Sequence, residues 1–353
     1  MVWDGFLKFW QNNINETDNP KSYVLEKFVD KSGIHHLSVY EDKIDSINYI
    51  FIIAVSFNGK LHLLQIIDNN EIKILNIDDY GFNFTQNGES YWAIKFDKDL
   101  ENNQNFSKFV TTSPNGKIKI WNFKILNGLP NFEFYGDINL GHNNGFPTCI
   151  DLSIVENKLS IGDSNGEVLI FELNSLKPLF TFHNNSLQNS SNSTVRSIKF
   201  SPLGKILAVA KDIGNYGIIT LYDTKYGENI GNLTIPSHST KNSNGIYSHD
   251  GWCFEIDFNE TGESLVSCGY DSKVRVWNVE NRERESTLNL SPSDLDYEDS
   301  NANNNDDLGT SPAIGVKFIK KGIRGGAGGD KNDGLVVISL DKGIRWYREA
   351  GGI

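Results

Sequence analysis

Cysteine is scarce in this chain, and what there is does not pair up. Cys149, Cys253 and Cys268 each lie in an apolar, strand-like run, an odd number without metal-ligand spacing. That pattern argues against a disulfide framework and a structural zinc site, and it predicts a reducing compartment. Long apolar runs are missing too. No stretch reaches the about 20 residues of a membrane-spanning helix, and no secretory leader pattern follows Met1. Basic residues are in deficit, 33 Lys and Arg against 45 Asp and Glu for a net charge of −12. Proteins that wrap nucleic-acid phosphates carry the opposite balance. Amphipathic helical periodicity is absent over any run of about twelve residues. These absences leave a soluble, strand-built protein of the cytoplasm or nucleus, with no direct nucleic-acid or membrane role.

What is present is a recurring segment: an apolar strand, a second strand, a turn holding Asp or Asn, then a third strand that ends in an aromatic residue. The clearest copy spans residues 252–279, with W-C-F-E-I-D-F, E-S-L-V-S-C-G and Y-D-S-K-V-R-V-W-N-V. Trp10, Trp121, Phe171, Tyr222, Trp277 and Trp346 close successive copies, with Leu64 in the second slot. Their spacing, roughly 50–70 residues, is longer than the about 40–45 usual for a four-stranded blade with its loops. Polar, Asn-rich loops absorb the excess at little cost, because closure entropy grows only with the logarithm of length.

Seven closing strands predict an all-β, seven-bladed WD-repeat β-propeller, a single domain over residues 1–353. The first copy is a stub at residues 4–10, without sequence for its first two strands. The outermost strand of the last blade is missing as well, which predicts either a misplaced start with natural sequence upstream or a ring open at one blade; the first is preferred because an open ring exposes unpaired strand edges. Residues 291–312 carry Asp294, Asp296, Glu298, Asp299, Asp306 and Asp307 without a single Lys or Arg, an acidic loop insertion. Residues 322–334 form a glycine-rich loop that lacks the strand–loop–helix setting of a phosphate cradle.

His249, Ser267 and Asp271 invite comparison with a nucleophilic triad. No G-x-S-x-G elbow accompanies them. With Trp277 they have the spacing of the hydrogen-bonded tetrad of a WD blade, a structural chain that satisfies buried polar groups. Gly141-His142 is a second Gly-His of that type. His35 and His36 adjoin in a strand, so alternation sends their side chains to opposite faces and away from a shared ion. No metal, cofactor or catalytic group is expected.

Aligning the copies at the start of the first strand brings His35, Trp92, Thr148, Arg196 and Phe254 to one position. Ser90, Phe146 and Trp252 fall two residues earlier, and Tyr270 comes just before the turn. The predicted partner-binding rim is therefore Trp92, Arg196, Trp252, Phe254, Tyr270, His35 and Phe146. Aromatic rings and arginine combine large contact area with a polar handle and dominate protein interfaces.

Several stretches go beyond a generic WD repeat. S-G-I-H-H-L-S-V, S-Y-W-A-I-K-F, V-R-S-I-K-F-S-P-L-G-K-I-L-A-V-A and the ending R-W-Y-R-E-A-G-G resemble the WD-repeat subunit of the fungal superkiller complex, over nearly the whole chain. The resemblance implies a non-catalytic scaffold that joins a tetratricopeptide-repeat subunit and an RNA helicase, feeding messenger RNA to the cytoplasmic exosome and limiting viral RNA. It also implies a nuclear role in meiosis beside the topoisomerase-like nuclease that makes recombination breaks. In that family a partner segment with Gln-Arg followed by an apolar residue docks on the upper face, and Trp92 matches a position of that face. Another WD-repeat adaptor, a ubiquitin-ligase substrate receptor or a chromatin-associated scaffold, would share the fold and prefer a different peptide.

Overall fold

The computed structural model describes residues 4–10, 25–44, 46–67, 71–82, 88–97, 107–141, 145–183, 193–235, 247–294, 310–319 and 334–348. Most of the acidic segment, most of the glycine-rich segment and His142 lie outside the described residues. The chain divides into two compact units, Met1–Ser164 with Val168–Phe182, and Asn165–Glu167 with His183–Ile353.

Alternation of apolar and polar residues builds antiparallel strands throughout. In the first unit β1 (Phe6–Phe9) pairs with β2 (Leu25–Phe28). Three four-stranded sheets follow. The first is β3 (Ile34–Ile44), β4 (Ile47–Ser56), β5 (Leu61–Ile67) and β6 (Glu71–Leu75). The next is β7 (Ile94–Asp97), β8 (Ser107–Thr112), β9 (Lys117–Leu126) and β10 (Leu129–Asn139). The last is β11 (Pro147–Ser153), β12 (Lys158–Asp163), β13 (Val168–Glu172) and β14 (Pro178–Phe182).

The second unit holds β15 (Val195–Phe200), β16 (Ile206–Ile213), β17 (Tyr216–Asp223) and β18 (Glu228–Leu233) in one sheet. A further sheet is β19 (Cys253–Phe258), β20 (Ser264–Gly269), β21 (Lys273–Asn278) and β22 (Arg284–Asn289). A three-stranded sheet follows, β23 (Ala313–Ile319), β24 (Gly334–Ser339) and β25 (Ile344–Arg348). Each sheet runs in sequence order from its first strand outward, the meander of a propeller blade.

The fold is thus an all-β WD-repeat β-propeller, but the count of seven blades is corrected to six among the described residues. The seventh had been counted from a closing strand alone. Residues 4–10 supply only β1, whose partner β2 completes a two-stranded ribbon rather than a blade.

Burial between neighbouring sheets holds each unit together. Phe51, Phe82, Phe96, Phe109, Trp121, Phe123 and Phe132 fill the space between the β3–β6 and β7–β10 sheets, and Phe82 stacks on Trp121 at 4.2 Å. Each such ring contributes roughly 1.5–3 kcal/mol by leaving water. The turn from β9 to β10 is Asn127-Gly128, both with positive φ (51° and 79°), the backbone twist that a two-residue hairpin demands.

A second device ties first strands of neighbouring sheets within each unit. Ser38 Oγ accepts the Phe96 N–H at 2.9 Å, and Asp97 Oδ2 accepts the Ile154 N–H at 2.9 Å. In the second unit Ser197 Oγ accepts the Ile256 N–H at 3.4 Å, and Asp257 Oδ2 accepts the Phe318 N–H at 3.1 Å.

Candidate functional site

One backbone irregularity organises the rim. Near the start of β3, β11, β15, β19 and β23 the ladder skips a residue: His35, Thr148, Arg196, Phe254 and Ile314 respectively. In the remaining sheet the Trp92 N–H reaches the Thr112 carbonyl at 2.8 Å while the Thr112 N–H reaches the Ala93 carbonyl at 2.8 Å, so two residues again oppose one. A β-bulge bends the strand and re-aims the extra side chain.

In the first unit the bulges bring His35, Trp92 and Phe146 together. The His35 ring lies 4.2 Å from Trp92 and 4.9 Å from Phe57, and Trp92 meets Phe146 edge-on at 5.0 Å. Below Trp92, the turn at Gly59 has a φ of +79°, and a Cβ there would stand 2.6 Å from that of Ser90. Only glycine lets this turn support the Ser90–Trp92 segment. The Phe146 backbone is clasped by Ser164, which donates its N–H to the Phe146 carbonyl and accepts the Phe146 N–H on its hydroxyl.

His35 and His36 do not point to opposite faces. The bulge suspends alternation and turns the two imidazoles toward each other, with Nδ1 atoms 2.9 Å apart. One Nδ1–H donates to the other nitrogen, which therefore stays unprotonated. Burial, aided by the neighbouring His36 charge, pulls the His35 pKa down to about 4. The His35 imidazole is therefore neutral near pH 7, and it adds an uncharged ring beside Trp92. Sequence reasoning missed His36 because alternation assigned it to the other face, and it missed Phe57 although Phe57 follows β4 as Tyr270 follows β20.

In the second unit Arg196, Trp252, Phe254 and Tyr270 converge. The three rings stand 6.1 to 6.4 Å from one another. The Arg196 guanidinium sits 4.6 Å from the Trp252 ring and 5.6 Å from that of Phe254, a cation–π arrangement. Asp212 grips it through one oxygen, accepting from Nε and Nη2 at 2.8 Å each. Burial raises the Asp212 pKa despite the arginine beside it. Trp252 is fixed by donating Nε1–H to the Gly214 carbonyl at 3.2 Å. Beyond Gly214, Tyr216 and Tyr247 stack at 4.1 Å, a pair that no repeat position signals.

The remaining sequence candidates form a buried chain. Trp277 Nε1 donates to Ser267 Oγ at 2.8 Å, and Ser267 Oγ lies 2.8 Å from His249 Nε2. His249 Nδ1 lies 2.9 Å from Asp271 Oδ1. Because Ser267 already accepts from Trp277, its own proton goes to Nε2, and His249 carries its proton on Nδ1 for Asp271. Arg275 Nη1 donates to the second Asp271 oxygen at 2.8 Å. Ser267 and His249 are fully buried, so the hydroxyl has no approach for a substrate and serves as a strut. Among the described residues, no group of three His, Cys, Asp or Glu is placed to hold a metal ion.

Residues 240–278, which contain this chain, match the family model of the WD domain, G-beta repeat. The Antiviral protein SKI8 of Saccharomyces cerevisiae is 37% identical over 366 aligned residues, covering 99% of this chain and 91% of that protein. The chain belongs to the SKI8 family of WD-repeat proteins. A second relative, WD repeat-containing protein 1 of Xenopus tropicalis, is 32% identical over 104 residues, 30% of this chain and 15% of that protein. Its likeness reaches only part of the propeller. Membership in the SKI8 family covers almost the full length, including both rim clusters, and makes this a scaffold fold.

Proposed function

We propose that this chain is a non-catalytic scaffold subunit of a superkiller-type complex. It binds a tetratricopeptide-repeat partner and helps couple an RNA helicase to the cytoplasmic exosome for 3′-to-5′ messenger RNA decay. A second, nuclear role beside the topoisomerase-like meiotic nuclease belongs to the same reading. The observation that carries it is the 37% identity to Antiviral protein SKI8 over 99% of the chain. The rim chemistry supports it. Half-buried Trp92, packed between His35 and the edge-on ring of Phe146, is a preorganised apolar contact of the kind that dominates peptide docking. An apolar side chain of the partner would pack on Trp92, with a ring face left for a neighbouring cation.

Replacing Trp92 with alanine should weaken the tetratricopeptide-repeat partner by on the order of 2 kcal/mol or more, with the thermal melt retained. Isothermal titration of the purified partner decides it, and unchanged affinity in a folded Trp92→Ala protein would defeat the assignment.

A further inference from the structure

We propose that Asp30 and Glu89 are positioning residues for the rings of the first unit, each clasping the segment that leads into a rim ring to the third strand of the sheet it enters. This rests on the reading that Trp92 contacts a partner, and it names what holds Trp92 and its neighbours in place. In the second unit the acid of the tight turn after the second strand answers a base four residues later. Asp271 meets Arg275 at 2.8 Å, and Asp341 meets Arg345 at 2.6 Å. In the first unit the same turns hold Asn58 and Asn115, again with a base four residues on, His62 and Lys119. Asparagine carries no charge with which to answer them. The acid comes instead from the segment before the first strand. Asp30 Oδ2 lies 3.3 Å from His62 Nε2, and Glu89 accepts from the Lys119 ammonium.

The moved acid joins the segments on which the rings stand. Asp30 accepts the Ser32 N–H at 2.8 Å and the Ser32 hydroxyl at 2.7 Å, and it accepts from the Asn58 amide at 3.1 Å. Burial would raise its carboxyl, but the contacts with Ser32 and Asn58 outweigh burial and bring the pKa down to about 2. The ionised group thus ties residues 30–33 to the turn at 56–59. Phe57 belongs to that turn, and its N–H reaches the Gly33 carbonyl at 3.1 Å, two residues before His35. Gly59, in the same turn, accepts the Tyr91 N–H at 2.9 Å and so carries the clasp to the Trp92 segment. There the Glu89 carboxylate, 13% exposed, takes the Tyr91 hydroxyl at 3.1 Å as well as Lys119. Charge-assisted bonds of this kind are the strong ones. They fix the rings before any contact is made, which lowers the ordering cost of binding.

The test uses near-isosteric variants, which keep the fold. Asp30→Asn turns an amide toward the Asn58 amide, and Glu89→Gln removes the charge that answers Lys119. The indole N–H resonance of Trp92, assigned by its loss in Trp92→Phe, reports the setting of the ring without any partner. Each variant should shift or broaden that resonance well below its melting temperature, and each should lower the affinity of the purified tetratricopeptide-repeat partner about tenfold. Asp341→Asn breaks the turn-acid pair of the second unit; it should lower the thermal melt and leave the Trp92 resonance in place. An unmoved resonance in either first-unit variant, or an equal displacement in Asp341→Asn, would overturn the proposal. Full partner affinity in both variants, where Trp92→Ala has lost it, would overturn it too. If Trp92→Ala itself leaves the partner's affinity unchanged, the scaffold assignment falls, and the resonance still decides whether the two acids set the ring.

Discussion

Ser267 shows how much can depend on one hydroxyl. It receives the Trp277 N–H and serves His249 Nε2, both at 2.8 Å, in a fully buried setting. Ser267→Ala removes one acceptor and one donor and leaves two buried polar groups unpaired, a cost of about 3 kcal/mol. Urea unfolding followed by tryptophan fluorescence measures it, and a loss below about 1 kcal/mol would contradict the strut role. At the far end of the chain, burial alone would raise the Asp271 carboxyl. The hydrogen bond and charge of His249 and the Arg275 guanidinium outweigh it and hold the pKa well below the usual carboxylate range. A carboxylate depressed in the fold stabilises fully above its ordinary value near 4 and loses that contribution as pH falls toward the folded value. Asp271→Asn, which strands Arg275, should cost about 3–5 kcal/mol near neutral pH. The gap from the parent protein should narrow as pH drops below about 4. A gap that does not change with pH would show that Asp271 does not act through its charge.

Strands and their irregularities carry the next level. The recurrent closing aromatics were legible because the third strand of each copy places an apolar ring between sheets, and Trp121, Phe171, Tyr222 and Trp277 are all buried there. The bulges were not legible. The skipped residues are His, Thr, Arg, Phe and Ile, and the shared irregularity leaves no composition mark. That is why alternation gave the wrong orientation for His35 and His36, although alignment of the copies had found the positions. The ribbon strand β2, L-E-K-F, is too short for a periodic signal, which left the stub without its partner. The side-chain-to-backbone ties are equally local. Asp97→Ala should cost about 1–2 kcal/mol by orphaning the half-buried Ile154 N–H, with faster amide exchange at Ile154. Asp97→Asn keeps an oxygen acceptor and should recover most of the loss. Equal destabilisation by both substitutions would show that the 2.9 Å contact is not what couples these strands.

For the whole chain, the scarcity of cysteine becomes a probe of cohesion. All three thiols are free and buried, one in the first unit and two in the second. Burial, helped by nearby carboxylates such as Asp271, pushes the Cys253 thiol well above its ordinary range, and burial does the same for Cys268. The thiolate is the reactive form, so both are doubly protected, by access and by charge. An aromatic disulfide reagent should leave the native protein unmodified at mildly alkaline pH and titrate all three residues in denaturant. Cys253 and Cys268 belong to paired strands, with Cys253 opposite Gly269 and Cys268 opposite Glu255. Opening that sheet exposes both, so alkylation mapped by mass spectrometry across a urea series should find them losing protection at the same concentration. Separate transitions for these two cysteines would mean that β19 and β20 do not unfold as one cooperative element. The Trp277–Ser267–His249 chain would then be anchored on a sheet that opens piecemeal.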